Sequence, residues 1–397
     1  MKMASFRVLD GKGITCVKGI KAVGKFAGIK SSRKDFCVVA SDVPAAMAAV
    51  FTQNTARAPP VILGLERLKQ GKCQALNVVS GVANAGTGKE GLKNAKLQAK
   101  LLANELGISE KLVMVGSTGI IGKQMPMAKI ESAMNGVKGE LSDSEKAGLS
   151  AVEAIMTTDT KPKFIAVQAN GFVVAGMAKG SGMIAPNMAT MLCYIFTDAV
   201  IGQKDLQAGL SKSVGKSFNC ISVDACESTN DTVLLLANGL SGKKPSQQEF
   251  QEALDFVCLD LAKKIVLDGE GASKMFSATV KGARNFSEAK EMALAIVKSD
   301  LVKTAVFGND PNWGRVLQAI GQTRVPFEME KLAIFFGKVQ VVKNGLAADF
   351  NLQGAQLEMS KSGFEIIAVV GNGKAEATAY GCDLTEGYIK INAEYPT

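Results

Sequence analysis

Five stretches of the chain carry apolar residues at every third or fourth position: 91–107, 142–158, 203–218, 246–266 and 285–300. That period gathers them on one face of an α-helix. Ser142 and Asp143 stand where a cap of the second helix belongs, and Ser246 where a cap of the fourth belongs. Between these helices, the segments 112–119, 164–180, 192–199, 232–239, 276–283, 332–341, 364–380 and 388–395 read as strands. Within 164–180 the Asn170-Gly171 step predicts a tight hairpin, so a pair of antiparallel strands leads toward Thr190. Helices and strands alternate irregularly, which predicts a mixed α/β protein of stacked layers and not a doubly wound sheet. A fresh helix after Ala283 opens a section dominated by strands, so the domain border is expected there, between residues 1–283 and 284–397.

The composition supplies the core such layers need. Of 397 residues, 47% are hydrophobic, enough for one large or two ordinary domains. Lys and Arg number 46 against 37 Asp and Glu, a net charge of +9 spread along the whole chain with no basic block. A dispersed excess with one Trp and four Tyr suits anionic small molecules and argues against nucleic acid as a partner. The first twenty residues are charged and lack the apolar stretch of a secretory signal, and no run is long enough to cross a bilayer. A cytoplasmic location without a membrane partner is expected. The eight cysteines lie far apart with no C-x-x-C pair and read as reduced, mostly buried thiols. With histidine absent as well, no metal site is expected.

The missing histidine also removes the usual base for a Ser, Thr or Cys nucleophile. An unshifted Lys, with a reference pKa of about 10.4, is neutral ~0.1% of the time near pH 7.5, whereas an α-amino group at about 7.8 is roughly one-third neutral. A chain-terminal amine is thus the readier base, although burial of a lysine narrows the gap. The stretch "KGSGMIAPNMATML", Lys179 to Leu192, shows how an internal residue can obtain such an amine. The small Ala189 lets the Thr190 hydroxyl attack the preceding carbonyl, form an ester and release the upstream piece by hydrolysis. Thr190 then begins a new chain with nucleophile and base on one residue. The bland alternative is a plain turn before the strand at 192–199, because Gly, Ser, Pro and Asn crowd the stretch.

Other stretches are ambiguous taken singly. "GSTGIIG", Gly116 to Gly122, directly follows the apolar "LVMV"; there backbone N–H groups and a Thr hydroxyl can converge on a developing oxyanion, or form an ordinary tight loop. "ANAGTGKEG" fails as a phosphate loop, since Ala83 stands where the first Gly belongs and Glu90 where a hydroxyl belongs. The basic helix that follows reads as a solvated face. "LDGEGASK", Leu267 to Lys274, sets Glu270 between two glycines, either as a helix-terminating loop or as a carboxylate held out to an amine. In "GNDPNWGR", Pro311 reads as the first position of a helix and Trp313 as core.

Taken together, "KGSGMIAPNMATML", "GSTGIIG", "LDGEGASK", "GNDPNWGR" and the ending "INAEYPT" resemble the ornithine acetyltransferase family, the bifunctional glutamate N-acetyltransferases of arginine biosynthesis. "DVPAAMAAVFTQNTARAPPV", "SFNCISVDACESTND" and "CDLTEGYIKINAEYPT" resemble further family segments in the family's order, so the resemblance covers essentially the full length. It implies an αββα catalytic body like that of N-terminal-nucleophile enzymes over 1–283, and a smaller α/β domain over 284–397 whose end reaches the active site. It implies self-cleavage between Ala189 and Thr190, and a heterotetramer of two α chains (1–189) and two β chains (from 190). Thr190 is then the nucleophile, and Thr118 and Gly119 are the oxyanion pair. Substrate contacts fall on Thr157, Lys179, Thr190, Glu270, Asn392 and Thr397. Lys179 would pair the α-carboxylate that N-acetylornithine and glutamate share, with Thr157 and Asn392 fixing it, and Glu270 would suit an ammonium. Donor and acceptor would use one pocket in turn, by ping-pong kinetics.

The resemblance implies no cofactor; acetyl-CoA would enter only as co-substrate of a second activity, for which the sequence carries no separate signal. Val82 stands where the family has Asn, and Ala225, Cys226 and Glu227 replace family residues in "DACESTND". An amidohydrolase or aminopeptidase that passes the acyl group from the same threonine to water is the alternative.

Overall fold

The computed structural model describes residues 6–185 and 191–394. Nine strands form the first sheet: β1 (Phe6–Val8), β2 (Ile20–Lys25), β3 (Phe36–Phe51), β4 (Lys72–Val82), β5 (Val113–Ile120), β6 (Lys163–Ala169), β7 (Phe172–Lys179), β8 (Leu192–Thr197) and, after a two-residue β9 (Ile221–Ser222) that belongs elsewhere, β10 (Thr232–Ala237). Their order is β1-β6-β7-β8-β10-β3-β4-β5, with β2 also on β3. The β6–β7 hairpin turns at Asn170-Gly171 as the sequence predicts.

The 16-residue β3 decides the shape of this sheet. Its first half pairs with β2 and its second with β10, and its register against β4 shifts between Ala40 and Ala45. Pro44 lies in that gap, where a residue without an N–H costs the ladder nothing. A flat sheet would hold β7 and β5 five strand spacings apart, roughly 24 Å. Instead the Lys179 ammonium at the end of β7 donates to the Thr118 hydroxyl on β5 at 3.1 Å. The sheet is bent double, so that two β layers face each other.

The apolar pattern explains why the bend is stable. Between the layers, Cys37, Val39, Leu76 and Met114 share one core with Met177, Tyr194 and Phe196. Gly116 makes room there, since a Cβ on it would stand 2.4 Å from the Tyr194 hydroxyl. The outer face of β4 and β5 is covered by α1 (Pro59–Leu68), α2 (Gly88–Leu106) and α3 (Met127–Met134), followed by the short α4 (Val137–Glu140). Helix α5 (Glu145–Ile155) packs on β2, while α6 (Gln203–Lys216) and α7 (Gln247–Leu267) cover the other outer face through Leu210, Phe250, Val257 and Leu261. The layers thus run helix, sheet, sheet, helix, as expected of the mixed α/β class.

The second sheet joins β9 to β11 (Met275–Ala283), β12 (Ala333–Phe336), β13 (Val339–Lys343), β14 (Leu346–Ala347), β15 (Phe364–Val369) and β16 (Ala375–Cys382), in the order β14-β13-β12-β15-β11-β16-β9. Helices α8 (Phe286–Lys298), α9 (Asp300–Phe307) and α10 (Trp313–Gly321) bury its inward residues around Phe276, Ile296 and Ile366. Helices α11 (Leu352–Met359) and α12 (Glu386–Glu394) complete the chain. No described helix is long and apolar enough to cross a membrane. All eight cysteines are unpaired; Cys226 is exposed, Cys16 half-buried and the rest buried.

Three local expectations are corrected. Ser144, not Ser142 or Asp143, caps α5, its hydroxyl accepting the Ala147 N–H; Ser142 instead accepts the Ser144 N–H. Residues 388–395, read as a strand, fall for their described part in α12. The alternation of Ile389, Ile391 and their polar neighbours mimics a strand, but both isoleucines stay exposed, while Tyr388 and Asn392, one helical turn apart, turn toward the protein. Pro311 precedes its helix: Asn312 is the cap, accepting the Arg315 N–H, and Trp313 packs half-buried against the second sheet's core. Ser246 does cap α7, in a reciprocal capping box with Glu249.

Candidate active site

A cleft of about 920 Å³, its open mouth included, lies where β5 and β7 end. Thr118, Gly119, Thr157, Lys179, Glu270 and Asn392, singled out from the sequence, all line it. Ala189, Thr190 and Thr397 lie outside the described residues.

The floor of the cleft comes from the ends of two parallel strands. β4 and β5 run in register to Gly81 opposite Gly119, and there the ladder slips. Both glycines have positive φ, +110° and +129°, and a Cβ on Gly119 would stand 2.4 Å from the Gly81 carbonyl carbon. Only glycine fits such a close crossing of two backbones. Asn230 clamps the arrangement from just ahead of β10, its Nδ2 donating to the carbonyls of Ala83 at 2.6 Å and Ser117 at 3.0 Å. Thr118 is thereby held on the cleft wall with its hydroxyl toward Lys179.

Behind the wall runs a buried charge network. Asp159 accepts from the Lys163 ammonium at 2.6 Å, the Gly180 N–H at 2.7 Å and the Thr157 N–H at 3.0 Å. Lys163 also reaches Asp268 at the end of α7. Burial alone would raise the Asp159 pKa, but Lys163, Lys179 and the Gly180 N–H overcome it and hold the carboxyl down to about 2. Lys179 is pushed the other way: burial lowers its pKa, and Asp159, Asp231 and Glu270 oppose that fall. Asp159 thus fixes the backbone of the cleft residue Thr157 and of Gly180, and offsets the charge of the cleft residue Lys179.

Asp159→Asn should destabilise the protein by about 3 kcal/mol or more, because it removes the main counter-charge of the buried Lys179 and leaves the buried Lys163 with Asp268 alone. Urea unfolding at pH 7 measures this. A carboxylate whose pKa is depressed on folding stabilises fully above its unfolded value, about 4, and loses that contribution as pH falls toward its folded value. The gap between wild type and variant should therefore shrink from pH 4 toward pH 2, the value set by the folded Asp159 pKa of about 2.

On the opposite wall, Glu270 is held by its own N–H, which donates to the Ser181 carbonyl at 2.9 Å. Its Oε2 accepts from Asn392 Nδ2 at 3.0 Å. Gly271 has φ +68°, and a Cβ there would meet the Tyr388 nitrogen at 2.2 Å, so the start of α12 can lie directly on this loop. Tyr388 and Asp224 close the same end; burial raises the Asp224 pKa against the N–H groups of Cys226, Met183 and Ile184.

One further carboxyl bears on the segment after β7. Asp231, fully buried, accepts the Met191 N–H on Oδ1 at 2.9 Å, and its Oδ2 has no hydrogen-bond partner among the described residues. Burial pushes its pKa far above the usual carboxylate range. Asp231 adjoins the cleft-lining Asn230, and Met191 is the residue after Thr190.

Sequence reasoning missed Lys30, Asp159, Asp224, Asn230 and Tyr388. Asp224 and Asn230 lay within "SFNCISVDACESTND" and Tyr388 within "CDLTEGYIKINAEYPT", segments that showed a family resemblance but singled out none of the three. Lys30 and Asp159 sit in unpatterned loops, and only the tertiary fold brings Lys30 to the cleft and Asp159 behind its wall.

Comparison with known proteins finds relatives along nearly the whole chain. The family model described as the ArgJ family matches residues 21–397. The arginine biosynthesis bifunctional protein ArgJ of Oceanobacillus iheyensis is 43% identical over 98% of both chains. The glutamate N-acetyltransferase of Methanocaldococcus jannaschii is 44% identical, over 98% of this chain and 100% of that one. The crystal structure of arginine biosynthesis bifunctional protein ArgJ from Bacillus halodurans aligns with a TM-score of 0.50 at 39% identity, covering 51% of this chain and 98% of that chain.

Proposed function

The chain belongs to the ArgJ family and is a glutamate N-acetyltransferase of arginine biosynthesis, and on that premise we propose that it carries the acetyl group of N-acetylornithine to glutamate in two half-reactions on Thr190. The observation that carries this reading is the convergence of Thr118, Gly119, Lys179 and Glu270 on one cleft, with the chain that follows Thr190 tied beside it through Met191 and Asp231.

The precursor first cuts itself. The Thr190 hydroxyl oxygen attacks the Ala189 carbonyl carbon, the peptide C–N bond breaks with a proton passing to the nitrogen, and water hydrolyses the ester so formed. Residues 1–189 become the α chain and residues from 190 the β chain, two of each in the assembled enzyme. A matching observation is that the Bacillus halodurans chain is spanned to 98% by about half of this one, 51%, as it would be if that protein is also divided near its middle. The division of the fold into two parts belongs to the same proposal; because β11 pairs within the second sheet, the border is drawn ahead of β11 and not at Ala283, and α12 brings Asn392 from the second part to Glu270 in the first.

In turnover the Thr190 oxygen attacks the acetyl carbon of N-acetylornithine while its own α-amine takes the hydroxyl proton. The oxyanion is met by Thr118 and Gly119. Collapse breaks the amide C–N bond, the amine returns the proton to the departing ornithine nitrogen, and an acetyl ester remains. The glutamate amine then attacks that ester and the steps run in reverse. Glu270, with Thr157 and Asn392, belongs to the substrate-holding walls, and Thr397 is assigned a substrate contact on the family resemblance alone.

Incubation with N-acetylornithine labelled in its acetyl group and with unlabelled glutamate tests the reading. Label should appear in N-acetylglutamate with an equal amount of ornithine. Label recovered only as acetate would make the protein a hydrolase of the same threonine chemistry and overturn the proposal.

A further inference from the structure

Both proposed substrates carry an α-carboxylate, so the cleft needs a cation free to meet it. Lys179 is nearly enclosed, at 3% exposure, and its ammonium already donates to Thr118 with Asp159 behind it. A second lysine has been left out of every assignment so far. Lys30 lines the cleft from the loop between β2 and β3, half-buried, and among the described residues its ammonium makes one hydrogen bond, to the Met156 carbonyl at 2.9 Å. Its other donors have no acceptor there.

The loop is built to hold Lys30 in place. Asp35, fully buried, accepts the N–H of Ala27 at 2.6 Å on one oxygen and those of Ile29 at 2.7 Å and Lys30 at 2.8 Å on the other. Three charge-assisted bonds to the backbone between Ala27 and Lys30 make this turn rigid. The Lys30 stem then lies over Gly81, where a Cβ would come within 3.0 Å of its Cγ. Its ammonium therefore sits between the Gly81–Gly119 crossing and Met156, the residue before Thr157.

The charged groups that bear on it are Asp35 and Arg33 from its own loop, Asp159 from the segment after α5, and Lys179 from β7. Asp35 is committed to backbone N–H groups and Asp159 to Lys163. Lys30 is thus a cleft cation with no carboxylate of its own. Resting on the acetyl-transfer reading above, we propose that Lys30 holds the α-carboxylate of N-acetylornithine and of glutamate, beside the Thr157 hydroxyl. Burial, with Arg33 and Lys179, lowers its pKa to about 8 in the free protein, opposed by Asp35 and Asp159. A bound carboxylate favours the protonated form, so recognition is strong below that pH and fades above it.

The test compares kcat/KM of wild type, Lys30→Met and Lys30→Arg on N-acetylornithine and on N-acetylputrescine, which is the same molecule with hydrogen in place of the carboxylate. Lys30→Met should lose on the order of 10- to 100-fold on N-acetylornithine near pH 7, the worth of one hydrogen bond to a charged group, and almost nothing on N-acetylputrescine. The wild-type to Lys30→Met ratio should fall toward one as pH rises past the Lys30 pKa of about 8, and Lys30→Arg should restore the rate and remove that fall. If N-acetylputrescine turns over too slowly, its inhibition constant against N-acetylornithine gives the same comparison. Equal losses on both compounds would assign Lys30 a purely structural role, and no loss on either would remove it from recognition; each overturns the proposal. Absence of acetyl transfer in the wild type would instead strike the acetyl-transfer reading itself.

Discussion

A Thr190→Ala chain is expected to appear as one unbroken species in intact mass spectrometry and to transfer no measurable acetyl group, while the wild type gives two pieces beginning at Met1 and Thr190. Two losses coincide in this variant. The attacking oxygen is gone, and the amine that would serve as base is never released from its peptide bond. In a chain with no histidine, no neutral imidazole can substitute for that base. The rate should fall on the order of 10⁴-fold or more, as it does when a nucleophile and its base fail together. Thr190→Ser keeps an oxygen and should still divide, which separates the chemistry from the shape of the residue. Uncut wild-type protein with full activity would end the self-processing account.

The sequence made one half of this site legible and hid the other. Positions defined by short-range chemistry stood out: glycines next to a Thr at the end of β5, a carboxylate between glycines after α7, a crowded small-residue stretch before β8. Helices α2, α6, α7 and α8 were readable because each repeats an apolar stripe against a sheet. What sequence could not show depends on the bend in β3. Nothing local predicts that a strand interrupted by Pro44 folds a nine-stranded sheet upon itself, and without that bend Lys179 and Thr118 have no reason to meet. Lys30 reaches the cleft, and Asp159 the network behind its wall, for the same reason, each from a loop whose composition is ordinary. The helix α12 was misread because its polar face turns to Glu270 and its isoleucines to the outside, the reverse of a core helix.

The Lys179–Thr118 contact leads to the second large effect. An ammonium has three donors and no lone pair, so at 3.1 Å the Thr118 oxygen must be the acceptor. The hydroxyl proton is then free to point elsewhere, and the bond to a cation strengthens it as a donor. A threonine so arranged on the wall of the cleft can meet negative charge as it develops on the acetyl oxygen, and the neighbouring backbone at Gly119 can add to it. Thr118→Val keeps the volume and branching of the side chain but removes the donor. We expect kcat to fall on the order of 10²- to 10³-fold, the cost of one oxyanion donor, with KM nearly unchanged because the ground-state carbonyl needs the bond less. Thr118→Ser should recover most of the rate. The change also leaves the buried Lys179 ammonium short of a partner, so thermal unfolding of Thr118→Val should come earlier than that of Thr118→Ser. A variant that lost binding and turnover in equal measure would show that Thr118 holds substrate and not the transition state.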